Sequence, residues 1–244
     1  MFEFTIKAGG QDLAAVLHQP SAANLDTALI ISHGFRGSKA GGGRATFLAE
    51  MLARLGLAVL RFDFTPVESL SSQIEELKFV VDYCRKNVSS KIILLGRSMG
   101  GSCSLAYAAE DHDIRGLALW ATPSNLPETF RLSLGEAYNL IKKGESLIID
   151  DAYGKHIICP DILNDFQKYY LLDCVQRIKV PTLIIHGSDD KVVPLDQAYL
   201  MWKHANEPKQ MEIINGGDHQ LANHASIVAN ILLSWLKQHF VPTV

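Results

Sequence analysis

A chain of 244 residues with 48% apolar content is long enough to bury one large core, although length alone also allows two small domains. Lys and Arg total 23 against 26 Asp and Glu, a formal net charge of −3, and without a Lys/Arg cluster neither nucleic acid nor an anionic membrane is expected as a partner. Cys84, Cys103, Cys159 and Cys174 lack metal-type or disulfide-framework spacing, so they read as free, mostly buried thiols, and no metal or other cofactor is expected.

The opening stretch MFEFTIKAGGQDLAAVLHQP is broken by polar residues where a signal peptide needs an apolar run, and no later run approaches the ~20 residues of a membrane span. A soluble cytoplasmic protein is the expectation. Within that stretch, residues 2–7 and 13–18 read as an antiparallel hairpin turned by GGQD. The apolar runs at 27–32, 57–64, 91–96, 114–121 and 181–187, followed by QMEIIN at 210–215, read as strands. Their character is continuous rather than alternating, as a strand covered on both faces requires.

Segments with helical periodicity separate them: 44–56, 71–87, 99–111 and 194–206, with a closing amphipathic helix at 225–240. The second is expected to start from Ser71 or Ser72, with Glu75 completing a capping box on Ser72. Strand and helix alternate, which implies right-handed crossovers and a mostly parallel central sheet with helices on both faces. Residues 122–179 break the rhythm, being far longer than an ordinary connection. They read as an insertion with helical segments at 126–144 and 161–178 and a small hairpin at 146–160, so that 1–121 and 180–244 form the core and 122–179 a lid.

One serine stands out in KIILLGRSMGGSCS. A strand ending near Gly96 and a helix starting near Met99 leave a very tight turn for Ser98, and any larger side chain at Gly96 or Gly100 would collide as strand and helix close together. A serine is a poor nucleophile at neutral pH, so catalysis there requires a histidine base and a carboxylate to orient it. Downstream, HGSDDKVVP supplies Asp189 and Asp190 after a core strand, and INGGDHQL supplies His219 in a glycine-rich loop.

With GRSMG, HGSDDKVVP and GGDH in this order, and HGFRGSK at 33–39, the chain resembles the α/β-hydrolases over essentially its whole length. The resemblance implies the α/β-hydrolase fold and a Ser98, Asp190, His219 triad, with Asp190 rather than Asp189 at the acid position of H-G-x-x-D-x-x-V-P. It places the oxyanion hole at the backbone N–H groups of Phe35 and Met99, and gives His33 and His186 loop-shaping roles only. SHGFRGSK, LAVLRFDF and the medium insertion look like small bacterial esterases of the feruloyl or cinnamoyl type. Those relatives continue R-F-D-F-R-G-x-G-x-S where this chain reads RFDFTPVESLS.

The expected activity is therefore hydrolysis of a small-molecule carboxylic ester through an acyl-enzyme. The insertion carries Phe130, Leu134, Tyr138, Tyr153, Phe166, Tyr169 and Tyr170, which suits an apolar or aromatic acyl group. Phe35 is a candidate wall of the acyl pocket, and Asp151, Tyr169 and Tyr170 are candidates for hydrogen-bonding a substrate hydroxyl. Two alternatives stay open: a serine peptidase on short peptides, whose amine-binding acid would be sought among Glu68, Glu128 and Asp150, and a catalytically silent binding protein. The oligomeric state is left open, a homodimer being one option.

Overall fold

In the computed structural model, which describes residues 1–21, 25–66, 68–151 and 154–241 apart from the Asp151 side chain, the chain opens with an antiparallel hairpin of β1 (Phe2–Ala8) and β2 (Gln11–His18). There follow β3 (Ala28–Ser32), α1 (Arg44–Leu55), β4 (Ala58–Phe62), α2 (Leu70–Asn87), β5 (Ile92–Arg97), α3 (Met99–Ala108) and β6 (Ile114–Trp120). The stretch from 122 to 179 carries α4 (Leu126–Leu134), α5 (Tyr138–Lys142), the hairpin β7 (Leu147–Asp151) and β8 (Gly154–Ile158), α6 (Asp161–Phe166) and α7 (Leu171–Arg177). The chain closes with β9 (Thr182–Gly187), α8 (Leu195–His204), β10 (Lys209–Ile214) and α9 (Ala225–Phe240).

The main sheet runs β1-β2-β4-β3-β5-β6-β9-β10. Pairing is parallel from β4 to β10 and antiparallel only within the amino-terminal hairpin and where it joins the edge of β4. The unbroken apolar runs have a direct cause. In β5, Ile92 and Leu94 pack into one core with α2 and α3, while Ile93 and Leu95 pack into the other with α1 and α9, so every position up to Gly96 is buried. β5 lies in the middle of the sheet, and the turn at its carboxyl end sits at the crevice where α/β sheets bind ligands.

Two expected boundaries move. α2 starts one turn earlier than Ser72 and Glu75 imply: Ser69 is the cap, accepting from the Ser72 N–H, and the Ser72 hydroxyl returns to the Ser69 N–H, so Ser72 does the work expected of Glu75. The segment 161–178 is two helices, because Tyr170 leaves helical geometry and starts α7 with φ −81 and ψ 92. Among the described residues no helix is long and apolar enough to cross a membrane.

Candidate active site

The glycine spacing acts as steric reasoning requires. A β-carbon on Gly96 would overlap the Gly100 carbonyl and the Gly101 Cα, and one on Gly100 would overlap the carbonyls of Ser32 and His33. With both bare, α3 packs directly on β5 and β3, and the intervening Ser98 is forced to φ 51 and ψ −128, a strained backbone for a side-chain-bearing residue. The turn is held by the Ser98 N–H donating to the Trp120 carbonyl at 2.8 Å and by the Ser98 carbonyl accepting from Gly101 N–H at 2.8 Å.

Its hydroxyl lies 3.1 Å from His219 Nε2, 121 residues away in sequence. His219 Nδ1 in turn lies 2.8 Å from Asp190 Oδ2. Because a carboxylate can only accept, Nδ1 carries the proton toward Asp190 and Nε2 is left as the acceptor for the serine. The second Asp190 oxygen accepts from the N–H groups of Val192 at 2.9 Å and Val193 at 2.8 Å. Burial alone would raise this carboxyl, but the hydrogen bond and charge of His219 and the Val193 N–H pull it below its ordinary value. These contacts favour the ionised carboxylate.

Further contacts fix the two loops. Arg97 Nη2 donates to the His219 carbonyl at 3.0 Å, tying the imidazole loop to the strand end that carries Ser98. His186 is fully buried, with Nε2 donating to the Val193 carbonyl at 2.8 Å and lying 3.4 Å from Asp190 Oδ2; burial lowers its basicity and keeps it neutral. His33 staples the loop after β3, with Nε2 accepting from the Phe64 N–H at 3.0 Å and Nδ1 donating to the Gly34 carbonyl at 2.8 Å. Both histidines serve as loop braces.

Ser98 and His219 open onto a cleft of about 640 Å³ that is also lined by Phe35, Met99, Leu126 and Phe130. Phe35 and Phe130 lie tilted at 48° with ring centroids 5.0 Å apart, and Phe130 meets Phe166 edge-on at 4.7 Å. Leu126, Trp120, Val192 and Gln220 are wall residues that nothing local in the chain singles out. Gln197 was missed too: its buried amide accepts from Ser124 and Asn125 N–H, both at 3.0 Å, and donates to Glu128, anchoring the start of α4. A polar residue on the buried face of a helix was the available signal.

Two candidates fall away from the cleft. Tyr169 points to α2, its hydroxyl 2.8 Å from Ser71 Oγ, and lines a separate groove beside α2, α3 and α7. Tyr170, at the start of α7, is 75% exposed and borders the same groove. Neither borders the Ser98 cleft: beside the break between α6 and α7, the Tyr169 ring packs toward α2 and Tyr170 is left exposed. The side chain of Asp151 and the whole of Tyr153 lie outside the described residues. Among the described residues no group of three or more His, Cys, Asp or Glu side chains is placed to hold a metal.

Comparison with known proteins gives a family described as serine aminopeptidase, S33, matching residues 167–225, a stretch that holds Asp190 and His219 but not Ser98. The uncharacterized protein YfhR of Salmonella typhimurium is 26% identical over 192 residues, covering 70% of this chain and 58% of that protein, so the chain spans little more than half of this relative. Among solved structures, ferulic-acid-bound Est1E from Butyrivibrio proteoclasticus is similar with a TM-score of 0.86 at 24% identity, over 98% of this chain and all of that one. The alpha/beta hydrolase GrgF from Penicillium sp. has a TM-score of 0.75 at 22% identity, over 99% and 98% of the two chains. The chain has the α/β-hydrolase fold.

Proposed function

We propose that this α/β-hydrolase-fold chain is a serine hydrolase that cleaves carboxylic esters, with Ser98 as nucleophile, His219 as general base and acid, and Asp190 as the group that orients and charge-stabilises the imidazole. The observation that carries the reading is the continuous hydrogen-bonded path Ser98, His219, Asp190 at the floor of an open cleft. In the first half-reaction Ser98 Oγ bonds to the ester carbonyl carbon while its proton passes to His219 Nε2; the alcohol then leaves with that proton. In the second, water gives a proton to His219 and its oxygen to the acyl carbon, releasing the carboxylic acid and restoring the serine. The sum is ester plus water giving acid plus alcohol.

The oxyanion formed in each half is assigned to the N–H groups of Phe35 and Met99. Met99 is the first residue of α3, so its N–H has no partner within the helix, and both residues line the cleft beside Ser98. Residues 122–179 are assigned as the lid: α4 brings Leu126 and Phe130 over the cleft, where an apolar or aromatic acyl group would meet Phe35 and Phe130. Similarity to esterases of the same fold, including one holding ferulic acid, supports this choice of substrate class.

A peptidase reading is favoured by the description of the matching family. It needs a carboxylate to receive a peptide amine, and among the described residues lining the cleft none is Asp or Glu; Glu128 is instead bonded by Gln197. Turnover of a panel of p-nitrophenyl esters, hydroxycinnamate esters, thioesters and aminoacyl amides by wild type and Ser98→Ala decides between them. Ester turnover that vanishes in Ser98→Ala is expected; amide turnover exceeding ester turnover would favour the peptidase.

A further inference from the structure

Charge is unevenly spread over this molecule. The whole chain has a net charge of −3, yet among the described residues lining the Ser98 cleft every Lys, Arg, Asp or Glu is a cation: Arg36, Lys39, Arg44 and Arg97. Asp63 answers Lys39 at 2.6 Å, and Arg97 is turned to the His219 carbonyl. Arg44 has a neutral partner: its Nη2 donates to Gln220 Oε1 at 3.1 Å. Gln220 follows His219 directly, so this guanidinium sits beside the loop that presents the imidazole.

Carboxylates belong to this region too: Asp190 is buried behind His219 and already accepts from His219, Val192 and Val193, and Asp218, two residues before Gln220, accepts from the Leu221 N–H at 2.7 Å. Arg44 also opens α1, whose preceding Gly43 offers no side chain to cap the helix, so the positive end of the helix dipole reinforces the same wall. A partly enclosed cleft with cations of one sign focuses its field on a bound anion, and guanidinium groups pair two-fold with carboxylate or phosphate.

Phe130 and Leu126 pack into the core on one face of the sheet, and Leu48 of α1, next to Arg44, into the core on the other. A substrate centred on Ser98 therefore meets Phe130 and Leu126 from one layer and Arg44 from the other, while Arg36 lies over the Phe35 ring, 6.0 Å from its centroid. Resting on the ester-hydrolase reading above, we propose that the preferred substrate is an ester bearing an additional anionic group, carboxylate or phosphate, that lies against Arg44.

Matched pairs test this. On the leaving-group side, 4-acetoxybenzoate and 4-acetoxyphenyl phosphate are compared with methyl 4-acetoxybenzoate; on the acyl side, 4-nitrophenyl hydrogen glutarate is compared with 4-nitrophenyl pentanoate. At least one anionic member is expected to exceed its neutral partner by about tenfold in kcat/KM at low salt, as a charge-assisted hydrogen bond allows. That ratio should fall several-fold in about 0.5 M NaCl, where exposed charges are screened. It should collapse in Arg44→Gln and be partly restored in Arg44→Lys. Turnover of the neutral esters with no anionic preference, or a preference that Arg44→Gln leaves intact, overturns this inference alone. No turnover of any ester, neutral ones included, overturns the ester-hydrolase reading and this inference with it.

Discussion

Asp190 Oδ2 stands 2.8 Å from His219 Nδ1, while the adjacent Asp189 takes the Ser188 hydroxyl at 2.7 Å. Two neighbouring carboxylates thus have separate partners: one meets the imidazole of His219, the other the hydroxyl of the preceding Ser188. Asp190→Asn should lower kcat for a p-nitrophenyl ester by about 10³–10⁴-fold, because an amide no longer holds the required tautomer. Asp189→Asn should keep most of the activity. Equal losses in the two variants would reassign the orienting acid.

Close contact at the serine turn predicts a stability effect separable from chemistry. Gly96→Ala and Gly100→Ala each drive a methyl group into backbone rather than into a movable side chain. Overpacking of this kind costs about 1–3 kcal/mol or more, and in a chain of this size each kcal/mol lowers Tm by about 2–4 °C. Differential scanning calorimetry should show lowered midpoints for both. An unchanged Tm would mean that strand and helix are not packed as closely as described.

The aromatic cluster predicts a selectivity effect. Phe130 is buried between Phe35 and Phe166, so Phe130→Ala should destabilise the chain by about 3–5 kcal/mol and lower kcat/KM for a hydroxycinnamate ester more than for an acetate ester. Equal losses on both esters would remove the ring from the acyl pocket.

Acid should unfold the protein earlier than its carboxylates alone require. Burial lowers the basicity of His186 and of His18, the latter helped by the charge of Arg61, so both stay neutral in the fold. In the unfolded chain each takes up a proton near pH 6.5, so the unfolded state binds more protons below that pH and stability falls as pH drops through it. Glu76, raised by burial, acts in the opposite sense at lower pH. Urea midpoints should decline from pH 7.5 to about 5.5, and His186→Asn should flatten that decline. A midpoint independent of pH over that interval would contradict the assignment.

Much of this was legible in the residues. The strands declare themselves because β3, β5, β6 and β9 are covered on both faces over most of their length, so polar residues such as Ser32, Arg97, Arg115 and Thr182 fall only toward their ends. The meeting of Ser98, Asp190 and His219 was legible because each sits in a turn whose glycines are required by close backbone approach. Tyr169 and Tyr170 were misplaced because composition marks an aromatic segment without fixing which way a helix break turns it. Arg44 and Gln220 went unnoticed as cleft residues because nothing local distinguishes them. Only the fold brings the start of α1 beside the His219 loop.

Most direct is a peptide-mapped labelling experiment with a fluorophosphonate, which forms a stable bond only with an activated hydroxyl. The account predicts one adduct, on Ser98, at neutral pH, and its loss or drastic slowing in His219→Ala although the serine remains. Labelling of another residue, or labelling of Ser98 at an undiminished rate without the imidazole, would contradict the claim that His219 activates this serine.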